Sequence, residues 1–313
     1  FSTVDNTSTT MDPRVTINHT GDVGIGTTSP EQLLNISNAG GSTILAIDTY
    51  SDTAGHAPSI YFRKADNVEA TPNAVDSADI LGQMIFYGWD VDGTGGTAEY
   101  IEGAKIFARV AEVSSNNDMP TEIVFSTTLD GASSATDRMV IDHNGNVGIG
   151  TASPLFNLEI EDDAADVVSA ISCHSATEAH APQLLFKKSD GTEASPSALQ
   201  DTAVIGVMDF QGYDDNSFDS GAKIIVQADA NWSGSERGTE MLFQTRNGND
   251  SLATNMFIRA DGNVGIGTIV ASSKLHVVIA DGVENEPCAR FQNLDDAEPY
   301  GIIVDFENFD SSG

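Results

Sequence analysis

One seven-residue string constrains this chain more than any other feature. It occurs as GDVGIGT at 21–27, as GNVGIGT at 145–151 and again as GNVGIGT at 262–268, spaced by 124 and then 117 residues. Self-similarity of this kind marks a modular architecture built from one recurring unit. The residues between the strings repeat as well. His56-Ala57-Pro58 returns as His180-Ala181-Pro182, and positions 56–90 share 15 identities in 35 with positions 180–214, without a gap. Downstream, Gly103-Ala104-Lys105-Ile106 matches Gly221-Ala222-Lys223-Ile224 at an offset of 118, so six residues are lost near the Gly-rich stretch at 92–96. That stretch reads as a loop tolerant of length change. The repeat frame places the end of a preceding module at 1–20, complete modules at 21–144 and 145–261, and the start of a further module at 262–313. Both ends, including the start on Phe1, read as cuts in something longer.

Within a module the pattern has a period of two. Gly82, Met84, Phe86 and Gly88 are kept at Gly206, Met208, Phe210 and Gly212, while the residues between them switch between apolar and polar. A strand with one buried and one exposed face behaves this way. Ile60 and Phe62, Ala104 and Ile106, Ile123 and Phe125, and Met139 and Ile141 supply further strand faces, each with a counterpart in the second copy. The reading is an all-β chain of tandem antiparallel sandwich or barrel-like modules joined by glycine-rich necks. Its expected module core is Phe62, Met84, Phe86 and Phe125, repeated as Phe186, Met208, Phe210 and Phe243, with Gln83, Asp209 and Gln211 facing solvent.

Charge narrows the function. The 47 Asp and Glu against 14 Lys and Arg leave a formal charge of −33. That field repels nucleic-acid backbones and anionic membranes, and it opposes self-association unless salt, cations or apolar contact compensates. No apolar run approaches the roughly 20 residues of a membrane-spanning helix. Two cysteines, Cys173 and Cys288, are too few for a disulfide framework and read as incidental.

The candidate chemical sites are weak. A dinucleotide-binding glycine loop needs a strand before it and a helix after it; here Thr28-Ser29-Pro30 or Ala152-Ser153-Pro154 follows, and then another strand-like segment. His56 and His180 lack a recurring carboxylate or Cys partner at ligand spacing, and read as residues that hydrogen-bond the turn before a strand. The acidic run from Asp214 to Asp219 lacks the Gly and Glu positions of an EF-hand loop; whether it binds a metal stays open. No nucleophile-elbow string occurs, and paired carboxylates are too common here to single out a glycosidase. Asn6, Asn18, Asn35, Asn231 and Asn249 satisfy the N-x-S/T pattern, which matters only where surface sugars are present. Trp89, Tyr87, Tyr213 and Trp232 are candidates for exposed aromatic patches. No cofactor is expected.

The glycine string has a structural reading instead. Val and Ile fall on one face of it and Gly on the other, which suits close approach of neighbouring backbones. Val23, Gly24, Ile25 and Gly26, Val147, Gly148, Ile149 and Gly150, and Val264, Gly265, Ile266 and Gly267 are therefore expected as neck contacts between three copies of the chain. GNVGIGTASP followed by Leu-x-Ile, with HAPxxxFxK, GxMxFxG, GAKI and TExxFxT between the strings, resembles the repeats of bacteriophage tail-fibre proteins and of similar bacterial surface fibres. The resemblance implies a parallel homotrimer outside a virion or cell, with end-to-end filament growth as a further option. It implies a role in spacing a receptor-binding tip, any glycan contact lying in parts outside this segment. A cellular filament or adhesin built from the same modules is the alternative, and a polysaccharide-degrading enzyme a remote one.

Overall fold

The computed structural model describes residues 1–3, 12–90, 99–113, 117–248 and 251–278. The loop at 92–96, Asn6, Asn249 and Cys288 lie outside the described residues. The chain divides into two units, 1–169 and 170–313, each taken by itself.

In the first unit, β1 (Ser2–Thr3) pairs with β2 (Asp12–Pro13), and β3 (Val15–Ile17), β4 (Val23–Ile25) and β5 (Leu34–Ile36) form a three-stranded sheet. A short hairpin of β6 (Asp66–Val68) and β7 (Thr71–Asn73) precedes the main sheet. That sheet is a meander of β8 (Ile80–Asp90), β9 (Glu99–Val110), β10 (Thr121–Thr128), β11 (Ala135–Ile141) and β12 (Val147–Ile149), with β13 (Leu158–Ile160) added in parallel beside β12. The second unit repeats the plan. The hairpin of β14 (Asp190–Thr192) and β15 (Ser195–Ser197) leads into β16 (Val204–Tyr213), β17 (Phe218–Ala228), β18 (Thr239–Thr245), β19 (Ala253–Ile258), β20 (Val264–Ile266) and β21 (Leu275–Val277), in that order across the sheet. Bulges recur at equivalent places, between Phe86 and Tyr87 and again between Phe210 and Gln211. The chain is all-β, as the alternation predicts, and no helix occurs among the described residues.

Three expectations need correction. Among the described residues each module's long strands form a single open sheet, with no second layer to make a sandwich or barrel. The glycine string closes the sheet of the strands before it, so the repeat frame that begins a module at 145 cuts through β8–β13, which runs on to Ile160. The buried core also lies on the opposite side from the one expected. Register places Gln83, Phe107, Val124, Val140 and Gly148 side by side across five strands. Of these, Phe107, Val124 and Val140 form the buried cluster.

That cluster is covered by its own long neighbours. Lys105 Nζ lies 5.3 Å and the Arg109 guanidinium 5.6 Å from the Phe107 ring centre. Arg109 pairs with Glu122 and, at 3.8 Å, with Asp137. Aliphatic stems cover the apolar patch while the charged heads stay wet. We predict that Phe107→Ala costs about 3–5 kcal/mol, read as a lower urea midpoint at unchanged m-value.

A candidate assembly face

The other side of each sheet is made of apolar residues in aligned rows. In the first unit one row runs Met84, Ile106, Phe125, Met139, Ile149, Ile160 across all six strands, and the next runs Gly82, Ala108, Ile123, Ile141, Val147, Leu158. In the second unit the rows are Met208, Ile224, Phe243, Met256, Ile266, Val277 and Gly206, Val226, Met241, Ile258, Val264, Leu275. Cross-strand partners share a face, so these twelve positions per sheet form one surface. None is charged in either copy. The charges Lys105, Arg109, Glu122, Asp137 and Glu159 all sit on the opposite face by register.

Among the described residues this surface is open. Phe86 and Phe210 are both 55% exposed, and Phe62, Met84, Phe186 and Met208 are exposed with them, while Phe125 and Phe243 are half-buried. The expected strand phase therefore groups the right residues, and their burial within one chain is what fails. Gln83, Asp209 and Gln211 are exposed as expected. A groove of about 450 Å³ runs along this face, lined in part by Ile60, Phe62, Met84, Ile106 and Ile123.

Phe62 and Phe186 come from outside the sheets. Each ring lies over a glycine of the first long strand; a Cβ on Gly82 would stand 2.4 Å from the Phe62 Cβ, and one on Gly206 3.2 Å from that of Phe186. This explains why glycine recurs there. The segment carrying Phe62 is anchored at its foot, where Lys64 bonds Asp66 at 3.1 Å and also pairs with Asp79. Lys188 bonds Asp190 at 2.9 Å at the equivalent place. Lys64 holds the Asp79 carboxyl below the usual range, assisted by the Asp76 amide. A depressed carboxyl contributes stability above its unfolded-state pKa, and the contribution is lost as pH falls through the lowered folded value.

The neck strings adopt one geometry three times. The Val amide donates to Leu33, Asn157 or Lys274 O at 2.9 Å, and the carbonyl of Ile25, Ile149 or Ile266 accepts from Ser37, Glu161 or Val278. The glycines are required by these local contacts. Gly150 has φ +81°, and a Cβ on it would stand 2.0 Å from Glu161 O; a Cβ on Gly148 would stand 2.5 Å from Thr151 O. The close backbone approach thus occurs inside the chain, where the sequence reading placed it between copies. Ile25, Ile149 and Ile266 stay open at 41%, 40% and 42%.

The remaining candidates resolve into structure. The Ser51 hydroxyl and His56 Nδ1 are 2.8 Å apart, as are Ser175 Oγ and His180 Nδ1, so both imidazoles close the turn that precedes the Phe62 and Phe186 segments. The Asp214 carboxylate accepts the amides of Asn216 and Ser217 at 2.7 and 2.9 Å; those backbone amides lower its pKa. It thus shapes the β16–β17 turn. Among the described residues no group of three His, Cys, Asp or Glu side chains converges. Trp89 stacks edge-on with its cross-strand partner Tyr100 at 4.9 Å, as does Tyr213 with Phe218 at 5.2 Å. Trp232 is tied to Gly238 O through its indole N–H.

Comparison with family models and with curated proteins finds no match. Among solved structures, the fold is similar to the carboxy-terminal domain of the bacteriophage T5 L-shaped tail fibre, at TM-score 0.56 and 15% identity over 83% of this chain and 100% of that one. The same domain with its intramolecular chaperone domain gives TM-score 0.56 and 16% identity, covering 84% of this chain and 72% of that one.

Two predictions follow from this geometry. Gly150→Ala should lower the melting temperature well beyond Gly145→Ala, since both have positive φ but only Gly150 has backbone in the way. Titrating from neutral pH downward, Lys64→Ala should remove part of the acid sensitivity below about pH 4, measured as the change in stability between pH 7 and pH 3 relative to the unchanged chain.

Proposed function

We propose that this chain is a non-enzymatic spacer segment of an extracellular fibre of phage tail-fibre type, assembled as a parallel homotrimer on the virion surface. The observation that carries this reading is the uncharged apolar face, present in both modules and left open by the other described residues. Each such side chain contributes roughly 1.5–3 kcal/mol when fully buried, and exposed apolar patches of this kind mark interaction sites. The partner best suited to it is the chain itself. At −33 per copy, like copies repel everywhere except where the sequence has removed charge, and this face is such a place. The likeness in fold to a tail-fibre domain supports the same reading.

The role as a spacer rests on what the modules share. They keep apolar rows, glycines and turn residues, which are requirements of shape. Modules of this kind add reach in proportion to their number. Host attachment and any glycan recognition then belong to a tip beyond this segment.

The test is direct. Light scattering at physiological salt should give three times the 32.9 kDa chain mass, and the assembly should weaken at low salt, where repulsion is less screened. A single-chain mass at physiological salt overturns the proposal. Phe86→Asp should shift the mass toward one chain. Deleting 37–160, one full repeat that leaves β3–β5 intact, should shorten the particle in electron micrographs without loss of assembly.

A further inference from the structure

Two long segments have no fold of their own. Every residue from 37 to 65 is exposed, and so is every residue from 161 to 189, the same stretch one repeat later. Each contains two runs free of turns and bends, at 43–50 and 58–65 and at 167–174 and 182–189, separated by the Ser–His turn. No backbone group in these four runs hydrogen-bonds to any other described part of the chain. Solvated loops of that length are normally polar, yet these are apolar. Ile44 and its equivalent Val168 are each 80% exposed, and Ile60 and Leu184 are 62% and 64% exposed.

Resting on the fibre reading, we propose that these runs are strands whose hydrogen-bonding partner is a neighbouring copy of this chain, so that the copies are interlocked through backbone as well as packed through side chains. A straight run with both edges open and apolar side chains is a template for strand addition. Water satisfies the amides but leaves the apolar side chains exposed; a partner strand serves both. Three observations select a second copy over a foreign partner. The runs 43–47, 58–62, 167–173 and 182–186 carry no charged residue in a chain of −33, so identical copies meet there without repulsion. Both modules keep the arrangement at the same offset, as a segment with a fixed repeating neighbour requires. Phe62 and Phe186 fix the runs 58–65 and 182–189 to the open apolar face, so these two unpaired runs continue the surface on which copies meet.

Hydrogen exchange on the whole chain, combined with light scattering on the same sample, tests this. In the assembled protein the amides of 43–50 and 167–174 should exchange at least about 100-fold more slowly than in an unstructured peptide, as paired strands do. They should lose that protection when the assembly is dissociated. Exchange at the peptide rate in a sample of threefold mass overturns the interlock while leaving the fibre reading in place. Exchange at the peptide rate in a sample of single-chain mass removes both. Protection in a sample of single-chain mass shows pairing within one chain and also overturns the interlock.

Discussion

Cross-strand register is the constraint from which the other features follow. Because Met84, Ile106, Phe125, Met139, Ile149 and Ile160 are direct partners across six strands, these apolar residues are forced to one side. The ionic groups are forced to the other, where Lys105 and Arg109 cover Phe107. A one-residue slip in any strand would send its apolar side chains to the charged face. The bulges at Phe86 and Phe125, repeated at Phe210 and Phe243, sit where they leave this alignment intact over the central part of the sheet.

Each open sheet has one self-covered face and one face left open by the other described residues. The charged face is complete, with buried Val124 and Val140 beneath ion-paired long side chains. The apolar face of each sheet is met by a segment, 37–65 or 161–189, whose runs 43–50, 58–65, 167–174 and 182–189 make no backbone hydrogen bond among the described residues. In a chain with 47 acidic residues, the apolar rows and the runs 43–47, 58–62, 167–173 and 182–186 carry no charge, which gives the proposed assembly its location. In the proposed fibre, electrostatic repulsion elsewhere would limit association to that geometry and keep particles apart.

Part of this was legible in the sequence and part was not. The period-2 repetition of Met84 and Phe86 at Met208 and Phe210 identified the apolar face correctly, and so did the pairs Ile123–Phe125 and Met139–Ile141. The Ser–His turns were readable because His56 and His180 recur with the same neighbours. The segments at 43–50 and 167–174 were missed, although Ile44 and Ile47 return as Val168 and Ile171. Their signal lies outside the window of strongest identity, and an apolar run by itself does not reveal whether its partner is near or distant.

The sequence by itself determined the all-β class, the repeat and which side chains share a face, because these follow from local periodicity and from the two-sidedness of a strand. Only the tertiary structure decided three further matters. It showed that the glycine string ends a sheet instead of opening a module. It showed that Gly148 and Gly150 make room for Thr151 and Glu161 of their own chain. It showed that Phe62, Met84, Phe86, Phe186, Met208 and Phe210, expected in a core, lie open on the apolar faces. The physical reason is common to all three: periodicity specifies direction relative to a strand, whereas burial and close approach depend on residues that are distant in sequence and are placed only by the pairing of strands.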